Sequence, residues 1–351
     1  MKSFQSEGDA DISARHNILR QPIKFFVLLY VFKLFTVMNI SILGFGFMGK
    51  KHKAVLEQIP DIKVNAIIDW HPAEQPGFFS LEQFLKTKHD TDLVVIATPN
   101  HLHFKHAQEL LEQGYNILIE KPFVFNTDQA RVLQEISHKK GNQVFVVMQN
   151  RFSSVTKFLS ELVSDDKLGK VYNIQFNAFW NRGENYYKKD SWKGGKNTDG
   201  GILYTQFSHL IDLLCHVFND EFEILFKDLS SFRNFNISEI EDTAILVLQG
   251  KSGTKVNINF TTAVFEKNQE TSLNIIAEKG TLKISGQYFN EVSFQHIENC
   301  PDEFKIPSTS NEDNLKEMYL EIFKSLNREK NNATLLQDGI GLVKILENIY
   351  S

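Results

Sequence analysis

From Met38 onward, short apolar runs alternate with segments of helical periodicity. Asn39-Ile40-Ser41-Ile42-Leu43-Gly44 opens as a strand, and the same apolar signature returns at 64–68, 93–97, 116–119 and 143–147. Between these runs, residues 80–85 start a short helix. Phe104, Ala107, Leu110 and Leu111 then fall on one helical face, with Gly114 where a C-terminal cap belongs. A further helix is predicted over 127–140, closed by Gly141. Strands this apolar, with little alternation, are covered on both faces, so the pattern predicts parallel βαβ units in a doubly wound sheet.

The pattern changes after residue 150. A helix is predicted at 152–168 and a half-buried strand at 171–176. Strands follow at 243–248, 255–260, 272–277 and 281–284, and helical patterns close the chain at 312–327 and 334–349. Strands clustered without intervening helices predict an α+β unit with a mostly antiparallel sheet. The expected division is an extension at 1–37 outside the fold, an α/β domain at 38–150, and an α+β domain at 151–351.

The 351 residues, 42% of them hydrophobic, suffice for two packed domains. A net charge of −5, from 38 basic and 43 acidic residues, gives no basic surface for nucleic acid. Two cysteines, Cys215 and Cys300, make no disulfide framework, which points to a reducing, cytoplasmic setting. In the extension, Arg15, Arg20 and Lys24 precede the apolar run 25–32 as in a signal peptide. No small-residue cleavage site follows, and Lys33 cuts the run well short of the ~20 residues a spanning helix needs. No membrane and no metal are expected.

Three places in the first domain carry chemistry. Gly44-Phe45-Gly46-Phe47-Met48-Gly49 is a G-x-G-x-x-G between a strand and a helix. Gly44 permits the tight turn, Gly46 lets backbone approach a pyrophosphate, and Gly49 allows helix and strand to pack closely. The helix N-terminus supplies N–H groups and partial positive charge. Asp69 ends the second strand, 20 residues after Gly49, where a carboxylate accepts from both ribose hydroxyls and repels a 2′-phosphate. The expected cofactor is therefore NAD rather than NADP. Glu120-Lys121-Pro122 follows a strand at the carboxyl edge of the sheet, and Lys121 there is a candidate proton acceptor or electrostatic clamp.

Together with Ala97-Thr98-Pro99-Asn100-His101-Leu102-His103, these motifs resemble the glucose–fructose oxidoreductase, inositol dehydrogenase and MocA family, from Met38 nearly to Ser351. The resemblance implies a catalytic Lys121, a cis peptide before Pro122, and a 98–103 loop along the nicotinamide half of NAD. Thr98, Pro99, Asn100, His103, Glu120 and Lys121 thus join the cofactor residues. Gly200 to Asp212 matches the family's second catalytic segment, which makes His209 the catalytic histidine. Thr205, four residues earlier and expected on the same helical face, stands where many relatives carry aspartate. An uncharged hydroxyl cannot raise the histidine pKa as a carboxylate does, which moves the base role toward Lys121.

The resemblance further implies an open sheet whose bare, apolar face joins subunits into a homodimer or homotetramer. Asn150, Arg151, Tyr187 and Trp192, with Lys121, Thr205 and His209, are the expected substrate contacts. Arg151 could pair with a carboxylate or phosphate, and the aromatics could stack on uracil or sugar. The chain looks like the branch that oxidises C3 of UDP-N-acetylglucosaminuronate-type sugars for surface polysaccharides. The implied activity is an NAD-dependent dehydrogenase acting on a secondary hydroxyl. Redox-assisted glycoside cleavage and a non-enzymatic NAD- and sugar-binding regulator are the alternatives.

Overall fold

The computed structural model describes residues 37–70, 77–187, 191–233, 238–286, 289–301 and 306–351. The extension expected at 1–37 lies, apart from Val37, outside the described residues. Six strands, β1 (Met38–Leu43), β2 (Ile62–Ile68), β3 (Gly77–Phe78), β4 (Leu93–Ile96), β5 (Ile117–Ile119) and β6 (Val144–Val146), form one parallel sheet in the order β3-β2-β1-β4-β5-β6. Helices α1 (Phe47–Leu56), α2 (Leu81–Thr87), α3 (His103–Glu112) and α4 (Thr127–Lys140) connect them. Leu93, Val94, Val95 and Ile96 are all fully buried, which is why β4 shows no polar alternation. Local chemistry sets the helix ends. Ser80 caps α2 and Asn126 caps α4 through side-chain oxygens, while Gly141 closes α4 in the left-handed region at φ +75°.

Strand order reverses between β1 and β4, and their carboxyl ends open a crevice there. Leu43 pairs with Ile96 and Ile96 with Ile119, so Gly44, Ala97 and Glu120 follow adjacent strand ends. The sheet therefore gathers three distant motifs on one edge.

The second half begins with a 3₁₀ turn at Gln149–Phe152 and α5 (Ser154–Ser164), which together replace the single helix predicted at 152–168. Ser153 caps the shorter helix through Thr156 N–H. Strand β7 (Val171–Phe179) leads to α6 (Ile202–Thr205) and α7 (Ser208–Phe218). Strands β8 (Phe222–Ser230), β9 (Thr243–Gly250), β10 (Lys255–Thr261), β11 (Glu270–Ala277), β12 (Gly280–Ser285) and β13 (Glu291–Ile297) follow, then α8 (Asn311–Leu326) and α9 (Ile340–Tyr350). The seven-stranded sheet runs β13-β12-β11-β7-β10-β9-β8 and is antiparallel except where β7 meets β10. Edge strands β8 and β13 escaped the sequence pattern because edges lack the clean burial alternation of central strands.

The outward face of this sheet is not the apolar surface expected. Its central positions are Asn173, Gln175, Asn177, Asn257, Asn259 and Asn274, while Ile174, Phe176, Ile258 and Phe260 point inward and are buried. Asn259 donates to Asn177, and Asn177 to Ser272, across paired strands. Exposed Ile245 and Ile276 only flank this amide ladder. The C-terminal part returns to the first sheet. Leu315, Met318, Tyr319, Ile322 and Phe323 of α8 pack with Ile40, Ile42, Val55 and Leu56 in one buried cluster. No helix among the described residues is long and apolar enough to cross a membrane.

Candidate active site

The glycine turn has the geometry that its spacing predicts. Gly44 adopts φ +92°, and a Cβ there would sit 2.7 Å from the Ala97 carbonyl carbon. At Gly49 a Cβ would lie 2.1 Å from the Gly44 oxygen, so only glycine lets α1 start this close to β1. A Cβ at Gly46 would meet nothing within 4 Å, which leaves an open approach to backbone. Gly46 is also the N-cap of α1 and supplies no side-chain cap, so first-turn N–H groups remain for an anion. Phe45 is buried and Phe47 is 84% exposed, which limits both to backbone roles at a phosphate, and Met48 is half-buried. Asp69 stands beside the turn and accepts the Phe45 N–H at 2.7 Å. These residues fit a dinucleotide.

The next two motifs are bolted to one another. His103 has one ring nitrogen 2.8 Å from the Pro122 carbonyl and the other 2.7 Å from the Thr98 carbonyl, with the residue 1% exposed. Both ring nitrogens are engaged by backbone, so His103 braces the 98–103 loop against the Lys121–Pro122 turn. Thr98 also bonds His106 through its hydroxyl, and Pro99 leads into the 3₁₀ turn at Asn100–Leu102. Asn100, buried, donates from Nδ2 to the Asp199 carbonyl, so it too serves the loop's attachment. The Lys121–Pro122 peptide is cis, as the resemblance implies. Glu120 is 4% exposed and internally engaged. Its Oε1 lies 3.0 Å from His52 Nε2, and its Oε2 accepts the Lys121 N–H at 3.0 Å.

Lys121 follows β5 and His209 opens α7; both are partly exposed, and the Lys121 charge acts on the His209 ring. Lys121 Nζ donates to the Thr205 carbonyl. Burial lowers the Lys121 pKa, Glu120 and Asp199 oppose that, and Arg182 and Lys193 push it further down. His209 is brought down to about 3, chiefly by burial and then by the Lys121 charge, so it is neutral at physiological pH. Its Nδ1 finds no hydrogen-bond partner among the described residues. Thr205 and His209 do not share one helix. The chain breaks at Gln206–Phe207 between α6 and α7, and the Thr205 hydroxyl donates to the Gly201 carbonyl. Thr205 thus reaches Lys121 through its backbone oxygen.

Two residues expected at the substrate are engaged in the interior. Arg151 donates from Nε and Nη2 to Asp212 at 2.8 and 2.6 Å, and from Nη2 to the Asp338 carbonyl at 2.9 Å. Both side chains are buried, so this fork serves the interior. Tyr187 is 2% exposed, edge-on to Tyr186, and burial pushes the pKa of its hydroxyl up. Asn150 lies in the 3₁₀ turn, and Trp192 stays half-buried with its carbonyl accepting from Thr198.

Sequence reasoning missed a cationic wall. The Arg182 guanidinium lies 5.1 Å from the Trp180 ring centre and 5.6 Å from that of Tyr186, and its Nε donates to Gln206 at 2.6 Å. The Lys193 ammonium stands 4.0 Å from the Tyr186 ring centre. Asp199, fully buried, was missed as well. Its Oδ2 accepts the Gly194 N–H at 2.9 Å. The aromatic run 179–192 was a signal for the wall, whereas nothing in the local sequence singled out Asp199.

The family model described as "Oxidoreductase family, NAD-binding Rossmann fold" matches residues 38–148, and that of the GFO/IDH/MocA C-terminal domain matches 156–283. Glucose-6-phosphate 3-dehydrogenase of Bacillus subtilis (strain 168) is 22% identical over 260 residues, 70% of this chain and 73% of that protein. The scyllo-inositol 2-dehydrogenase (NADP(+)) IolW of the same organism is 24% identical over 51% of each chain. The structure of the WlbA dehydrogenase from Bordetella pertussis, in complex with NADH and UDP-GlcNAcA, superposes with a TM-score of 0.82 at 26% identity. That superposition covers 89% of this chain and 94% of the other.

Proposed function

The chain belongs to the Gfo/Idh/MocA family and is an NAD-dependent sugar oxidoreductase; on that premise we propose that it oxidises a secondary hydroxyl of a nucleotide sugar, at C3 of a UDP-N-acetylhexosamine or its uronate. The observation that carries this reading is the pairing of Lys121 and His209 beside a wall of Arg182, Lys193 and Tyr186. Two cations and an aromatic face suit an anionic sugar nucleotide better than a neutral polyol. The likeness to the WlbA dehydrogenase, solved with NADH and UDP-GlcNAcA, supports the same choice.

When bound at the glycine turn and Asp69, NAD supplies the hydride acceptor. The chain's own residues handle the hydroxyl. Lys121, its pKa lowered by burial, accepts the hydroxyl proton at Nζ, and the Thr205 carbonyl aims that nitrogen. His209, held neutral, offers a ring nitrogen to the same hydroxyl and fixes its orientation. Asp69, beside the Phe45 N–H, favours NAD over NADP.

The test is product analysis by mass spectrometry, with NADH absorbance, across UDP-N-acetylhexosamines, their uronates and free polyols. A 3-keto nucleotide sugar formed with one NADH per turnover is expected. A freed sugar without net NADH would replace this reading with redox-assisted glycoside cleavage. Binding without turnover would replace it with a regulator.

A further inference from the structure

Behind the candidate site lies a buried chain of polar groups that proton transfer at Lys121 does not itself use. Tyr319 of α8 places its hydroxyl 2.6 Å from His52 Nδ1, and His52 of α1 places Nε2 3.0 Å from Glu120 Oε1. Glu120 closes the chain by accepting the Lys121 backbone N–H at 3.0 Å on Oε2. Tyr319 and His52 are fully buried and Glu120 nearly so. We infer that Tyr319, His52 and Glu120 form a positioning relay, through which α8 fixes the backbone and the electrostatic setting of Lys121. This inference rests on the role given to Lys121 above.

The direction of the relay follows from its donors and acceptors. Among the described residues the Tyr319 hydroxyl has no other acceptor, so its proton goes to His52 Nδ1. Burial raises the Tyr319 pKa well above its ordinary value, which keeps that proton on oxygen. The His52 proton then sits on Nε2 and is donated to Glu120, which receives a second donor from the Lys121 backbone. Burial alone would raise the Glu120 pKa. The His52 hydrogen bond and the neighbouring charges outweigh it and hold the carboxylate ionised.

The groups facing Lys121 are Glu120 on its own strand end, Asp199 on the glycine-rich turn, Arg182 and Lys193 on the wall, and His209 on α7. Glu120 and Asp199 are the two that keep its pKa from falling. A proton acceptor needs a pKa near the working pH, and a fixed anion beside a buried lysine supplies that limit. The relay also explains why α8 returns to the first sheet. Tyr319 stacks on Phe323 and packs edge-on against His52, so the last third of the chain holds the imidazole in register.

Three variants test the relay: Tyr319→Phe, which keeps the ring, Glu120→Gln, which removes the charge, and the double variant. In the unliganded wild type, ¹⁵N NMR of the His52 ring should show the Nε2–H tautomer, and Tyr319→Phe should perturb the Nδ1 resonance. Each single variant should lower kcat/KM about tenfold or more, the size of one buried group left unsatisfied. In Glu120→Gln the ascending, acid-side limb of kcat/KM should move to lower pH, because the anion that raised the Lys121 pKa is gone. The double variant should be little worse than Glu120→Gln, as expected of groups acting in series. An Nδ1–H tautomer in wild type, additive losses, or losses without movement of that limb would overturn the relay. If wild type turns over no sugar, the functional reading fails, while the NMR arm still decides the hydrogen-bond chain.

Discussion

Gly46→Ala and Gly49→Ala separate cofactor approach from fold within one motif. Gly46 sits at φ −73° and ψ −154°, an extended conformation that alanine adopts, and its new Cβ meets nothing within 4 Å. The stability cost is that of replacing glycine by alanine at an N-cap, about 0.5–1 kcal/mol. At Gly49 the new Cβ lies 2.1 Å from the Gly44 oxygen and 3.0 Å from the Gly44 carbonyl carbon. Both atoms are backbone, so α1 or the turn must move. Overpacking of this kind costs about 3 kcal/mol or more, against which helix propensity returns about 1 kcal/mol.

The two variants should therefore fail differently. Gly46→Ala should unfold in urea near the wild-type midpoint yet bind NAD about tenfold or more weakly, roughly 1.4 kcal/mol, because its methyl stands where pyrophosphate approaches backbone. Gly49→Ala should lose about 2 kcal/mol of stability, and NAD affinity with it. Urea melts and calorimetric NAD titrations on the same preparations read both quantities. Wild-type NAD affinity in Gly46→Ala, or equal destabilisation in the two variants, would refute the assignment of the turn.

Asp69→Ala should relax the preference for NAD over NADP, and unchanged ratios of kcat/KM for the two cofactors would remove Asp69 from the ribose. Lys121→Met keeps the length but removes the base, so kcat should fall about 10²–10⁴-fold in stopped-flow NADH formation while NAD affinity holds. Arg151→Met strands Asp212, which is 1% exposed, and should cost about 3–5 kcal/mol in denaturant melts with KM for the sugar unchanged. A raised KM in a variant of undiminished stability would restore Arg151 to the substrate.

The parallel sheet was legible because β4 and β5 are apolar throughout, and a run without alternation admits few other assignments. The glycine turn was legible because what it needs is backbone geometry, which residue type and spacing encode. Side-chain pairing was not. Arg151 reads as an exposed cation after a strand, and only folding brings Asp212 beneath it, 61 residues later. The His52–Tyr319 contact spans 267 residues and depends on α8 returning to the first sheet, which no local pattern announces. The open face misled for a related reason. Alternation predicts which residues point outward, but the asparagines there bond across strands and need no apolar cover.

The departure at Thr205 shows most clearly what tertiary structure adds. A threonine where relatives carry aspartate reads as a site short of one negative charge. The fold supplies a carboxylate from elsewhere: Asp199 is buried on the turn leading into α6, and its charge raises the Lys121 pKa. Burial raises the pKa of Asp199 itself, but the Gly194 N–H and the Lys121 charge oppose that. The sign of the consequence is fixed. Asp199→Asn removes an anion that favours the charged amine, so the Lys121 pKa falls and the ascending, acid-side limb of kcat/KM moves to lower pH. Asparagine keeps an oxygen for Gly194 N–H, so the turn should hold and melting temperature should change little. Measured on the 3-keto product across pH, a limb that stays in place or moves to higher pH would show that Asp199 only supports the turn. A limb at lower pH would place the missing charge of position 205 six residues upstream, in a group that spacing alone gave no reason to choose.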